Sequence, residues 1–152
     1  MLSAGIVYRL KVYRLPEGNP QARGKALINL LPLEPDETTT TIMPMPEDGE
    51  IWGDLFIMFA TARGGIRRNL LSYFTNIMAN GKIAMKLDEG DELIGVQTCS
   101  EAQDIMLAAD SGKCIRFPVT EVRIFSGRTS TGVRGIRLAE GQKIVSMTMI
   151  DH

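Results

Sequence analysis

Three arginines each stand four residues after a glycine, with an apolar residue between them: Gly5, Val7, Arg9; Gly64, Ile66, Arg68; Gly112, Cys114, Arg116. A second glycine signal follows 19, 17 and 20 residues later, with an aliphatic residue or Met at +4 and Leu at +6. Its copies are Gly24, Ile28, Leu30; Gly81, Met85, Leu87; and Gly132, Ile136, Leu138. The loops entering this signal carry Arg14, Arg23 and Lys25, then Asn80 and Lys82, then Arg128 and Arg134. Arg67 and Lys113 flank the first signal. Fixed cations recurring once per unit suit an extended polyanion, whose phosphates each take one charge. The candidate binding set is Arg9, Arg14, Arg23, Lys25, Arg67, Arg68, Lys82, Lys113, Arg116, Arg128 and Arg134.

The overall charge of −1 hides a segregation. Residues 5–30, 64–87 and 112–138 hold 15 of the 17 Lys and Arg but only Glu17 and Glu121 among the 18 acids. They carry +13 against −14 for the remainder. Those windows are bounded by glycine and leucine landmarks, so the split belongs to the repeat. A ligand meets local charge, not the sum.

Other chemistry finds little support. The one histidine, His152, is terminal, so His-based acid and base work is not expected. Cys99 and Cys114 form no CxxC pair, which argues against a zinc site or a disulfide framework; both are expected as small core residues. Asp88, Glu89, Asp91 and Glu92 share a glycine-containing turn echoed by residues 34–37 and 139–141, and a solvated hairpin explains them better than a cation site. Residues 63–68, RGGIRR, lack the spacing of a phosphate loop. Tyr8, Tyr13 and Tyr73 lie in apolar runs and are expected to pack inside, with Trp52 capping an exposed edge. No metal, cofactor or active site is expected.

The positioning elements follow from the apolar runs. Residues 55–61 and 105–109 lead into glycine turns, so each reads as a hairpin, and their near-continuous apolar character suits strands covered on both faces. Alternation after the turn puts Val7, Ile66 and Cys114 inward and lets Arg9, Arg68 and Arg116 reach the sheet margin with their heads in water. Bends or short helical turns are expected between the two signals, near 69–74 and 118–122. A strand ending at Leu30, Leu87 or Leu138 closes each unit, and residues 44–54 form the longest insertion. A period of about 50 residues points to a propeller-type or solenoid array. With 152 residues, 44% of them hydrophobic, and no long apolar run, a soluble intracellular protein without a membrane partner is expected.

Four stretches then match one known family in order: YRLKVYRLP at 8–16, ARG at 22–24 with NLLPL at 29–33, LDEGDELIGV at 87–96, and TGVRGIRL at 131–138. The chain resembles the C-terminal domain of the bacterial DNA gyrase A subunit. The resemblance implies an all-β fold, a β-pinwheel of propeller-like blades, here about three of a larger ring, with repeats near 1–45, 46–96 and 97–152. It implies a non-catalytic module of a type II topoisomerase that wraps double-stranded DNA on a basic rim. Such a module supports ATP-dependent negative supercoiling in the bacterial cytoplasm. Its implied partners are the gyrase B subunit together with the rest of the gyrase A polypeptide. The family's QRRGGKG box is missing, and residues 21–25 are a weaker echo of it. The topoisomerase IV counterpart, or a protein-interaction scaffold of propeller type, are the alternative readings. A partial ring leaves strand edges uncovered, so imperfect terminal blades, or blades paired with another molecule, are expected.

Overall fold

The computed structural model describes residues 5–45, 47, 50–77, 81–127 and 131–151. Three sheets carry the architecture, joined by short 3-10 turns, and the described residues contain no α-helix. The apolar run at 56–61 forms β2 (Phe56–Thr61), which turns at Gly64 into antiparallel β3 (Gly65–Leu70). On the other side of β2 lies β5 (Leu93–Cys99), displaced in register between Ala60 and Thr61. The third repeat follows the same plan. Its central strand β6 (Gln103–Ala109) lies between β7 (Cys114–Pro118) and β9 (Ile144–Asp151).

Both faces of β2 are covered, as its composition requires. Phe56, Met58 and Ala60 face Ile105, Leu107, Val119, Val122, Ile144 and Met147 of the third repeat. Ile57 and Phe59 face the opposite cluster with Leu71, Phe74, Ala84, Met85, Leu93 and Val96. The Phe59 and Phe74 rings meet at 6.0 Å with a 59° tilt. Each large apolar side chain removed from water here contributes about 1.5–3 kcal/mol, so this double interface is the main source of cohesion.

Closing strands are only two residues long and lie in the sheet of the preceding repeat. β4 (Lys82–Ile83) pairs with β1 (Ile6–Val7), and β8 (Val133–Arg134) pairs with the outer edge of β3. The expected 3-10 turns occur at Leu71–Phe74 and Val119–Glu121, with others at Val12–Arg14, Leu27–Asn29 and Ile51–Asp54. Trp52 is half-buried against the cluster around Phe59.

Several side chains depart from the alternation argument. Arg67 and Arg68 are 0% and 4% exposed, so Arg68 does not keep its head in water. β3 is enclosed on both faces and on both edges, leaving no margin for its side chains to reach. Cys114, expected in the core, is exposed because no strand covers the outer edge of β7 among the described residues. Tyr13 is 79% exposed and Tyr73 lies at the surface, since the 3-10 turns that carry them lift them off the sheets.

Candidate nucleic-acid interface

Left-handed glycines build the junctions between repeats. Gly64 has φ +92° and Gly132 φ +91°. A Cβ on Gly64 would stand 2.9 Å from Ile136 O, and one on Gly132 would collide with Ile66 O. Only glycine allows two backbones to approach this closely in that conformation. The contact is locked by Gly135 N donating to Gly64 O (2.8 Å), and in the first junction by Ala84 N donating to Gly5 O (2.9 Å).

Each junction gathers cations from two repeats. In the first, Val7 pairs with Lys82 across β1 and β4. Arg9 Nη1 donates to Thr75 O (3.2 Å) and Lys82 Nζ to Tyr73 O, both carbonyls belonging to the same turn. Lys82 also lies 5.7 Å from the Phe74 ring centroid. In the second, a cleft of about 310 Å³ is lined by Arg63, Lys86 and Arg134, the glycines Gly64 and Gly132, and the acids Asp88 and Asp91. Asp91 is committed to its turn, its carboxylate accepting from Arg63 N (3.1 Å) and Glu92 N (2.9 Å). Arg63, Lys86 and Arg134 outnumber the two acids of the lining by one charge.

Arg63 and Lys86 are absent from the sequence-derived set. Lys86 was legible in principle, because it holds the +5 position after Gly81 that Arg137 holds after Gly132. Arg14, Arg23, Lys25 and Lys113 are exposed and do not converge on the cleft. Arg116 is exposed but its Nε meets Asp104 Oδ2 at 2.6 Å, which offsets part of its charge. Arg128 and Asn80 lie outside the described residues, as does His152.

Arg67 and Arg68 are corrected from surface cations to interior ones. Arg67 Nε donates to Asn69 Oδ1 (2.8 Å), and its guanidinium lies 5.1 Å from the Phe125 ring centroid. Burial pulls its pKa below the ordinary arginine range. Asn69 Nδ2 in turn donates to Phe125 O (2.9 Å) and Gly127 O (3.1 Å), so this pair anchors the segment that leads into the third repeat's basic loop. Arg68 lies 4.6 Å from the Phe56 ring centroid and 3.3 Å from Glu101 Oε1. These two side chains position the rim and do not present charge to a ligand.

Asp88, Glu89, Asp91 and Glu92 form a turn, closed by Asp91 N donating to Asp88 O (3.0 Å). Among the described residues no cluster of three His, Cys, Asp or Glu side chains is arranged to hold a metal ion. No described helix is long and apolar enough to cross a membrane. Cys99 is 2% exposed, and burial pushes its thiol up to about 11, against a smaller opposing pull from Arg68.

Comparison with known proteins fits this arrangement. The family described as DNA gyrase C-terminal domain, beta-propeller, matches residues 3–46, 56–100 and 103–151. The DNA gyrase A subunit of Granulibacter bethesdensis is 54% identical over 152 residues, 99% of this chain and 16% of that protein. Its Escherichia coli counterpart is 46% identical over 145 residues, 95% of this chain and again 16% of that protein. The chain therefore spans about a sixth of the length of these curated relatives. Among solved structures, the C-terminal domain of DNA topoisomerase IV superposes with a TM-score of 0.87 at 24% identity, covering 99% of this chain and 46% of that one. A DNA gyrase A C-terminal domain superposes with a TM-score of 0.77 at 22% identity, covering 98% and 46%. With an all-β, propeller-like fold and three matched repeats spanning nearly its whole length, the chain belongs to the DNA gyrase C-terminal domain family.

Proposed function

We propose that this chain is a duplex-binding and DNA-wrapping module of the DNA gyrase A subunit, working without chemistry or a cofactor of its own. The observation that carries this reading is the concentration of 15 of 17 Lys and Arg in three windows, two pairs of which meet at junctions. Cations spaced by a protein repeat can follow a phosphate backbone without reading bases. Phosphates would be held by Arg9 and Lys82 at one junction and by Arg63, Lys86 and Arg134 at the next. Arg14, Arg23, Lys25, Lys113, Arg116 and Arg128 would extend the track. In the full enzyme, with the gyrase B subunit present and the remainder of the gyrase A polypeptide in place, wrapping would bias strand passage toward negative supercoiling in the bacterial cytoplasm.

The gyrase assignment rests on sequence: relatives near 50% identity are gyrase proteins, whereas the topoisomerase IV likeness at 24% reports the fold. Duplex affinity measured by fluorescence anisotropy against salt tests the reading. Each phosphate contact contributes roughly −0.9 to the slope of log K against log salt. The double variant Lys86→Glu with Arg134→Glu is expected to weaken binding to every duplex alike and to flatten the slope by about two units. No duplex binding at low salt would overturn the reading in favour of a protein-interaction scaffold. An unchanged slope in the double variant would remove the cleft from the track.

A further inference from the structure

The arginine at +4 after the first-signal glycine serves the two junctions differently. In the first, Arg9 is exposed and its Nη1 donates to the carbonyl of Thr75 (3.2 Å), the residue at +11 in the next repeat. In the second, Arg68 is 4% exposed and lies against the Phe56 ring and Glu101, so the rim loses that charge. The residue at +11 in the repeat that follows is Arg123. It is exposed.

Arg123 is not a loose surface cation. Its guanidinium lies 4.2 Å from the Phe125 ring centroid, and the same ring meets the buried Arg67 at 5.1 Å. The ring itself is fixed. Phe125 is 6% exposed, its N–H donates to Arg68 O (2.8 Å), and its carbonyl accepts from Asn69 Nδ2 (2.9 Å). On the other side of Arg123, Val122 is buried and its N–H donates to Val119 O (3.1 Å). The backbone is therefore held before and after Arg123, while its side chain rests on an anchored ring. Among the described residues Arg123 has neither an acidic partner nor a hydrogen-bond acceptor. A guanidinium supported by a ring keeps its N–H groups available in a fork that matches two oxygens of one phosphate. Lysine offers the same charge without that fork.

We infer that Arg123 is a phosphate-binding residue of the rim, its guanidinium held on Phe125 so that two N–H groups donate to the non-bridging oxygens of one backbone phosphodiester. At the second junction it supplies the charge that Arg9 supplies at the first. Phe125 is a positioning residue: it touches no phosphate, and it links the enclosed pair Arg67 and Asn69 to the exposed fork. Holding the side chain before the duplex arrives removes part of the rotamer entropy that a free surface arginine loses on binding. Repeat spacing does not single Arg123 out, because the neutral Thr75 holds the same place in the second repeat. The inference rests on the duplex-binding reading.

Duplex affinity of the 152-residue chain against salt separates charge from geometry. Arg123→Ala is expected to weaken binding about tenfold and to flatten the slope of log K against log salt by about one unit, the loss of a single phosphate. Arg123→Lys keeps the charge, so the slope should match the wild type while affinity falls about threefold. Phe125→Leu should act like Arg123→Lys, because it frees the arginine without removing it, with an affinity loss of about threefold. Both Arg123 variants leave the core untouched, and their urea midpoints should stay close to that of the wild type, which separates a lost contact from a lost fold. An unchanged slope in Arg123→Ala would overturn the inference and leave the duplex-binding reading standing. Arg123→Lys binding as tightly as the wild type would overturn the fork. No duplex binding by the wild type at low salt would remove the inference together with the reading beneath it.

Discussion

The second and third repeats carry the same hairpin in different surroundings. In the second, β3 has strand β2 on one edge, β8 on the other and packed side chains on both faces, so Ile66, Arg67 and Arg68 are buried. In the third, Cys114, Ile115 and Arg116 occupy the same positions and all three are exposed. The two segments share the spacing Gly, apolar at +2 and Arg at +4, so local sequence does not explain the contrast. What differs is whether a following repeat has laid its closing strand on the edge. In this architecture a position is made interior by its neighbour.

Substitutions at equivalent positions can break that comparison. The largest effect is expected for Arg67→Ala, which removes the Asn69 partner and the Phe125 contact from a fully enclosed site. A loss of about 4 kcal/mol is expected in urea unfolding, against about 1 kcal/mol or less for Ile115→Ala at the matching exposed position. Comparable losses at the two sites would mean that burial there is set by the repeat itself.

Glycine conformation gives a sharper pair. Gly132→Ala must both hold φ +91° and displace the Ile66 carbonyl, whereas Gly24→Ala at φ +66° meets no atom. Calorimetry is expected to show about 3 kcal/mol lost for the first and about 1 kcal/mol for the second. Equal losses would assign the whole cost to φ and none to the junction.

The cysteines provide the smallest effect. Cys114 should label in the native protein and Cys99 only on unfolding. The folded Cys99 thiol is pushed from 9.0 up to about 11 by burial, so between these values the unfolded state releases its proton first. Stability is then complete below about pH 9 and declines by about 2 kcal/mol as pH rises toward 11. Cys99→Val should remove that decline; an unaltered pH profile would mean that the thiol is not the titrating group.

Much of this fold is legible in the chain. The glycine turns, the apolar hairpin strands and the 3-10 turns at Leu71–Phe74 and Val119–Glu121 follow from spacings within one repeat, and spacing fixes short-range geometry. Tyr13 and Tyr73 were misjudged through the local turns that carry them, whereas Arg67 and Cys114 depend on partners elsewhere in the chain. Arg67 is interior because Asn69 and Phe125 meet it there, and Phe125 comes from the next repeat. Cys114 is exterior because no described strand covers β7, which its own neighbours in sequence do not reveal. Of the candidate site, the basic character was legible from charge segregation. The cleft of Arg63, Lys86 and Arg134 was not, because a turn of one repeat and the closing segments of two repeats converge to form it.

The borrowed closing strand also sets a timetable for synthesis. Ile66 waits for Val133, 67 residues later, and Ile6 waits for Ile83, 77 residues later. At bacterial elongation rates of about 5–20 residues per second, β3 emerges about 3 to 13 s before its partner. During that interval a nascent chain displays a bare strand edge with unpaired N–H and C=O groups, the kind of surface that aggregation recruits. Pulse proteolysis of stalled nascent chains should find the second repeat sensitive until residue 135 has left the ribosome, and resistant soon after.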